Sequence, residues 1–224
     1  IAKEPVDRYR QTLTYTDAFL AALDKEVARL GLRANTVFCA VGDHGEAFGE
    51  HGRLGHDLMG FDEAMHVPWV MGGPAQIVPG TRISHPVSSI DVAPTLLGLL
   101  GFRTEDQGFD GLDVLGPVPS GRKVYFSCWA NDGPAGFLLG SVKYVYHGSS
   151  AEVTLCELSG DPGEQVPVEP APQQAEAIAR DVLAWRRGTL FRPAQVPRGR
   201  VVVFDEWLCK WGARDSIARY RGPY

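Results

Sequence analysis

The chain has 224 residues, a formal net charge of −5, 44% hydrophobic residues and 22% charged residues. This is the composition of an ordinary globular protein and excludes disorder over the whole chain. The mild acidity argues against a nucleic-acid-binding protein, which would carry a basic face. No apolar run reaches the roughly 18 residues that a membrane-spanning helix needs. The four cysteines lack C-x-x-C spacing, so we interpret each as a small buried hydrophobic residue.

The first third of the chain predicts a helix and two strands. Apolar residues recur at helical spacing over residues 5–30, and Gly31 is the predicted C-terminal cap. Residues 36–41 (TVFCAV) form a short continuous apolar run, which is typical of a strand buried on both faces. Residues 66–71 predict a second strand, which should lie at a sheet edge because Pro68 lacks a backbone donor. A helix followed by a buried strand indicates one half of a doubly wound α/β unit.

The remaining elements change in character along the chain. A helix is predicted over residues 89–100, and we expect Asp91 and Pro94 to start it rather than to take part in chemistry. Beyond residue 120, short strands followed by one helix predict a small α+β subdomain. A strand is predicted at 201–204, while the rest of residues 188–224 has no assignable pattern. The predicted elements of the subdomain are strands at 123–129, 137–147 and 153–158 and a helix at 173–187.

A dense polar loop follows the first predicted strand. This polar loop, residues 42–57 (GDHGEAFGEHGRLGHD), holds three of the six histidines, four carboxylates and five glycines. Ligands of open α/β sheets bind outside the carboxyl ends of the strands. There, Asp43 offers a hard oxygen and His44 a nitrogen, a pair that can bind a divalent cation. Such a cation would polarise an ester and stabilise an anionic nucleophile.

Two alternatives to this metal pair stay open at the level of the residues. The polar loop can be a solvated surface loop, and since metal sites usually need three or four protein ligands, it supplies at most half of one. A zinc site built from His44, His51 and His56 is the other alternative, although no helical i, i+4 spacing supports it. No H-E-x-x-H motif is present, which removes that class of zinc protease.

Several segments, in a fixed order, carry a resemblance to a known family. They are residues 42–46 (GDHGE), 49–52 (GEHG), 63–68 (EAMHVP), 86–97 (PVSSIDVAPTLL), 143–144 (KY) and 155–164 (LCELSGDPGE). Together they resemble the motifs SDHGE, GEHG, E--RVP, PVS-ID-APTLL and KY…LYDL…DPGE of the sulfatase family in the alkaline-phosphatase superfamily, with Gly42 where Ser is common. The resemblance implies a partial alkaline-phosphatase-like, doubly wound α/β sheet with a small α+β C-terminal subdomain.

The resemblance also implies a role for each residue of the polar loop. Asp43 and His44 match the family's metal pair. His56 falls where many members place a substrate-contacting Lys and where phosphoethanolamine-transferase-like members often have His. A protonated His56 would hold a sulfate or phosphate oxygen or protonate the leaving group, which makes it the candidate catalytic residue. Three further residues are expected to orient ligands by hydrogen bonds or to brace the loop: Glu46, Glu50 and His51.

Two parts of the family pattern are missing from the sequence. One is the Asp-rich strand end that completes the metal site, and the other is the nucleophile box C/S-x-P-x-R. No cysteine has Pro two residues later, and the nearest serine match, Ser84-His85-Pro86, lacks the Arg. We therefore expect no nucleophile in this chain, and we expect the chain to be the C-terminal half of a catalytic domain. Its start at Ile1 rather than Met fits a piece cut from a longer parent.

On this basis the chain divides into three predicted parts. Residues 1–120 would be the C-terminal part of the α/β catalytic domain, residues 121–187 the small α+β subdomain, and residues 188–224 an unassigned extension. We expect Lys143 and Asp161 to be structural.

The function implied by the resemblance is hydrolysis of sulfate esters by a sulfuric ester hydrolase that uses Ca²⁺ or Mg²⁺. One alternative is a phosphodiester or phosphonate hydrolase, or a phosphoglycerol or phosphoethanolamine transferase, that uses Mn²⁺, Mg²⁺ or Zn²⁺. Another alternative is a non-catalytic remnant domain, since half of the site is missing. The expected partner is a sulfate- or phosphate-ester substrate and not a nucleic acid. The resemblance implies an extracytoplasmic location and leaves open whether the parent associates with a membrane.

Overall fold

The computed structural model describes residues 3–73, 77–104, 108–128 and 132–189. Its helices are α1 (Lys3–Arg29), α2 (Asp62–Met65), α3 (Val92–Leu99) and α4 (Pro172–Thr189), with 3-10 turns at Arg33–Asn35, Glu50–Gly52 and Ser89–Asp91. Its strands are β1 (Phe38–Val41), β2 (Ala47–Phe48), β3 (Leu54–Gly55), β4 (Trp69–Gly72), β5 (Lys123–Ser127), β6 (Ala135–Leu139), β7 (Val142–His147) and β8 (Glu152–Glu157). Within these residues, no helix combines the length and the apolar character that crossing a membrane requires.

The first sheet pairs β1 with β4 in antiparallel register, with Val41 opposite Trp69. The predicted second strand is confirmed, but it begins only after Pro68, whose carbonyl accepts a hydrogen bond from the Gly42 N–H at 3.0 Å. The prediction that the first strand is buried on both faces is wrong for the described part of the chain, since Val41 is 42% exposed. There β1 has only β4 as a partner. In addition, several apolar side chains of α1 are exposed: Tyr9, Leu13, Phe19, Leu20 and Leu23.

The second large sheet has the strand order β5-β6-β7-β8, with each neighbouring pair antiparallel. The predicted strand at 137–147 is in fact two strands, because the chain turns at Gly140, whose φ of +61° suits glycine. One face of the sheet forms a hydrophobic core with α4, in which Phe137 and Val153 pack with Val182. The mixed α/β class with an antiparallel sheet and helices is therefore confirmed.

The other face of this sheet packs against the segment that follows the polar loop. Lys143 of β7 is fully buried there, and its Nζ lies 2.6 Å from Asp62 Oδ1 and 2.9 Å from Glu164 Oε1. Gly60 also lies against this face, since a Cβ on it would be 3.2 Å from Pro134 and 3.4 Å from Phe126. The close approach of Gly60 and the ion pairs of Lys143 therefore hold the four-stranded sheet against the start of α2.

The start of α3 is fixed by a buried carboxylate. Asp91 Oδ2 accepts a hydrogen bond from the Ser88 N–H at 2.8 Å, which is one arm of a capping box. Arg122 donates to both carboxylate oxygens of Asp91, at 2.9 and 2.6 Å, so the buried charge is paired. The prediction that Asp91 and Pro94 start a helix is confirmed, and the structure adds an ion pair to Arg122 that the sequence pattern did not indicate.

The cysteines differ in burial. Cys156 is buried, as predicted, and burial followed by the hydrogen bond to Asp161 raises the pKa of its thiol to about 11. Cys39 and Cys128 are only partly buried, which corrects the prediction for those two residues. Cys209 lies outside the described residues.

Contacts along the chain divide it into two compact units, Ile1–Val182 and Leu183–Tyr224, with the boundary inside α4. Of the second unit, the structure describes only the end of this helix. The predicted strand at 201–204 and the rest of the extension from residue 190 lie outside the described residues. The division at residues 120 and 187 stays a prediction.

Candidate functional site

The polar loop leaves the end of β1 along a path that only glycine can follow. The Gly45 N–H donates a hydrogen bond to the Ala64 carbonyl at 2.8 Å. A Cβ on Gly45 would overlap the Glu63 carbonyl oxygen and lie 2.9 Å from its carbonyl carbon. The glycine therefore allows the loop backbone to touch α2, and this contact holds Asp43 and His44 at the end of β1.

A short ladder inside the polar loop brings its two ends together. Strands β2 and β3 pair antiparallel, with Ala47 opposite Gly55. The residues just outside this pair are Glu46 and His56, and His56 Nδ1 lies 2.8 Å from Glu46 Oε2. The ladder thus explains in backbone terms why residues ten positions apart form a hydrogen bond.

The geometry of Asp43 and His44 fits two ligands of one cation. The His44 Nδ1–H donates to the Gly45 carbonyl at 2.9 Å, because a carbonyl only accepts, and Nε2 is therefore the ring nitrogen that can face a cation. This Nε2 lies 3.7 Å from Asp43 Oδ2. Metal–ligand bonds of about 2.0–2.4 Å place neighbouring ligand atoms about 3–4 Å apart, so both atoms can reach one ion.

The carboxylate of Asp43 is ionised and open. Its pKa is lowered, first by the hydrogen bond from the His44 N–H at 2.9 Å and then by its own N–H. That bond occupies Oδ1 and leaves Oδ2 for a cation. The Asp43 side chain is 91% exposed, so an ion reaches it without any rearrangement of the fold.

The ring of His56 lies beside this pair. Its ring stacks on that of His44 with centroids 3.8 Å apart and an interplanar angle of 26°. The pKa of His56 is raised, mainly by the hydrogen bond to Glu46 and further by the negative charges of Glu46, Asp57 and Asp43. The arrangement therefore places a favoured imidazolium next to a candidate metal pair, which suits binding of an anion.

Glu50 and His51 contact the surroundings of the polar loop. Glu50 Oε2 accepts a hydrogen bond from the Phe48 N–H at 2.6 Å, and this bond is the main cause of the lowered pKa of Glu50. The ring of His51 stacks on Phe61 at 3.7 Å, and its Nε2 lies 3.2 Å from the Glu164 carbonyl oxygen. These contacts support the bracing role predicted for both residues.

The structure brings only some of the predicted site residues together. It brings His44, Glu46 and His56 together, with one ligand atom from each within 4.8 Å of the others. The sequence analysis did not identify the residues that hold His51 and the start of α2 in place. Glu63 Oε1 lies 3.3 Å from His51 Nδ1, and Glu164 binds both Lys143 and the Asp62 N–H. The sequence did contain one signal of this buried network: Lys143 lies on the same face of β7 as the apolar residue Val145.

Comparison with known proteins finds similarity to one family over the first part of the chain. Residues 2–102 match the family model described as Sulfatase. The low-salt glycan biosynthesis sulfotransferase Agl7 of Haloferax volcanii is 37% identical over 116 residues, which is 50% of this chain and 28% of that protein. The choline-sulfatase of Rhizobium meliloti is 28% identical over 202 residues, which is 82% of this chain and 38% of that protein.

Solved structures share the fold. A protein in complex with its substrate D-glucosamine-2-N,6-O-disulfate aligns with a TM-score of 0.60 and 19% identity, over 80% of this chain and 38% of that chain. The phosphonate monoester hydrolase of Silicibacter pomeroyi aligns with a TM-score of 0.57 and 22% identity, over 77% of this chain and 38% of that chain. The chain thus spans well under half the length of these relatives.

Proposed function

Because residues 2–102 of the chain match the Sulfatase family model, we propose that this protein provides the metal-binding part of an active site that hydrolyses sulfate esters. The observation that carries this proposal is the Asp43–His44 pair at the end of β1, with Oδ2 and Nε2 3.7 Å apart beside the stacked ring of His56. The nucleophile and the remaining metal ligands would come from residues outside this sequence. An extracytoplasmic location is part of the same proposal.

Asp43 and His44 would hold the cation, with Ca²⁺ or Mg²⁺ favoured by the exposed carboxylate. When bound, such an ion polarises the ester oxygens and stabilises an anionic nucleophile. The lowered pKa of Asp43 favours its ionised form, which is the form that binds a cation.

His56 would recognise the charged end of the substrate. Glu46 accepts the Nδ1–H of His56, which leaves the Nε2–H as the free donor. This donor would bind an anionic ester oxygen or protonate the leaving oxygen as the bond to sulfur breaks. Glu46 would act through His56 by keeping its ring protonated and oriented.

Replacing Asp43 with Asn should abolish binding of Ca²⁺ and Mg²⁺ by the 224-residue chain. The amide removes the negative charge and keeps the shape, so the expected fall in affinity is at least 10-fold, measured by isothermal titration calorimetry. Asp57→Asn is the matched control, because it removes a nearby carboxylate of the same loop that we do not assign to the cation. Equal binding by wild type and the Asp43 variant would remove Asp43 from the site.

A phosphonate or phosphodiester hydrolase is the second candidate, favoured by the fold likeness to the phosphonate monoester hydrolase. Release of nitrophenol by the full gene product from 4-nitrophenyl sulfate and from 4-nitrophenyl phenylphosphonate separates the candidates. We expect turnover of the sulfate ester to be at least 10-fold faster. Faster turnover of the phosphonate would favour the second candidate, and turnover of neither ester would favour the non-catalytic remnant domain.

A further inference from the structure

The polar loop contains a second set of ligands that the hard-cation pair does not use. One ligand atom each from His44, Glu46 and His56 lies within 4.8 Å of the others, and all three side chains are accessible to solvent. We propose that these three residues form a binding site for a transition-metal ion of the Zn²⁺ class. The site shares His44 with the cation site of the proposed function but does not need Asp43.

The chemistry of the three side chains distinguishes this site from the first. Two imidazole nitrogens and one carboxylate are a ligand set of catalytic zinc sites, with a fourth position left for water. Ca²⁺ and Mg²⁺ prefer oxygen ligands, so a set with two nitrogens selects against them. Because the Nδ1–H of His44 donates to the Gly45 carbonyl, Nε2 is the ring nitrogen that is available to the ion.

The distances require only a local contraction. Bonds of about 2.1 Å at tetrahedral angles place zinc ligand atoms about 3.4 Å apart. Glu46 Oε2 and His56 Nδ1 are already 2.8 Å apart, and the ligand atoms of the set all lie within 4.8 Å of one another. The stacked ring of His56 must rotate so that its lone pair faces the ion, and Glu46 must release its hydrogen bond. Both side chains reach solvent, so this rotation disturbs no packed core.

Occupation of this second site would exclude the first. The zinc ion would take the Nε2 of His44, which the Asp43 pair needs, and it would occupy the ring that the proposed function assigns to the anion. Zn²⁺ is therefore expected to compete with Ca²⁺ or Mg²⁺ on this chain.

The test is a calorimetric titration of the metal-free 224-residue chain with Zn²⁺. The accessible thiols are alkylated under native conditions before the titration. We expect one strong site, with Zn²⁺ affinity at least 10-fold weaker in each of the variants Glu46→Gln and His56→Gln. His66→Gln is the matched control and should stay within about 2-fold, because His66 is an exposed histidine whose Nδ1 lies 3.7 Å from an Asp62 oxygen. Circular dichroism verifies that each variant is folded.

Two results would overturn the inference: unchanged Zn²⁺ affinity in His56→Gln, or an equal loss in His66→Gln, which would indicate unspecific histidine binding. Asp43→Asn separates this inference from the proposed function. Retained Zn²⁺ binding with loss of Ca²⁺ supports both. Loss of both ions in this variant means one shared site and overturns the inference alone. A full gene product that binds Zn²⁺ but neither Ca²⁺ nor Mg²⁺ overturns the proposed function alone.

Discussion

Replacing Lys143 with Met should lower the free energy of unfolding by about 3–5 kcal/mol, because it leaves an uncompensated buried charge. Lys143 is fully buried and lies 2.6 Å from Asp62 Oδ1 and 2.9 Å from Glu164 Oε1. Glu164 is itself only 5% exposed, so water cannot replace the lost ammonium group. The expected change is a lower midpoint in urea unfolding with an unchanged slope.

Lys123→Met is the matched control, since Lys123 pairs with Asp181 at a partly exposed position of the neighbouring strand β5. A surface pair of this kind contributes about 0–1 kcal/mol, so the control should remain close to wild type. The double variant Lys143→Met with Glu164→Gln should recover part of the loss, because it removes a buried negative charge together with its partner. Equal stability of the two single lysine variants would contradict a buried ion network at Lys143.

The same network reaches the polar loop, so the Lys143 variant should also weaken the cation site. The Asp62 N–H donates to Glu164 Oε2 at 2.6 Å, and the Glu164 carbonyl oxygen lies 3.2 Å from His51 Nε2. Loss of Lys143 removes a contact that holds Glu164 in place, and a displaced Glu164 would shift His51, which lies against its carbonyl. Lys143 is therefore expected to position the loop without touching the cation.

Replacing Gly45 with Ala should abolish cation binding and destabilise the protein by about 1–3 kcal/mol, the usual cost of overpacking. The added Cβ would overlap the Glu63 carbonyl oxygen, which is backbone and cannot rotate away. The loop must then separate from α2, which breaks the hydrogen bond from the Gly45 N–H to Ala64 and displaces Asp43 and His44. Calorimetric titration with Ca²⁺ and urea unfolding measure the two effects.

Gly72→Ala controls for the general effect of changing a glycine. A Cβ on Gly72 at the end of β4 would meet no atom within 4 Å, so this variant should bind Ca²⁺ normally and keep its stability within about 1 kcal/mol. Normal Ca²⁺ binding by Gly45→Ala would show that the close approach of the loop to α2 does not shape the site.

The sequence predicted the parts of the site that depend on neighbours along the chain. Asp43 and His44 are adjacent, and the glycines around them indicated a loop that turns sharply at a strand end. The long helices α1 and α4 were also predictable, since a 3.6-residue period is a local signal. The pairing of Glu46 with His56 was not predicted, because it depends on a two-residue ladder too short to leave an alternation pattern.

Helical periodicity, turn residues and the order of the motifs therefore determined the element types, the fold class and the candidate metal pair. Tertiary structure alone decided which charges are buried and what faces them. Lys143 and Asp62 are 81 residues apart, and no local pattern encodes a contact over that distance. The prediction for the burial of β1 was likewise wrong. An apolar run indicates that a strand can be buried, but the elements that pack against it in space decide whether it is. The candidate metal pair Asp43 and His44 is thus encoded by adjacent residues. The buried ion network of Lys143 forms only when the sheet packs against the segment after the polar loop.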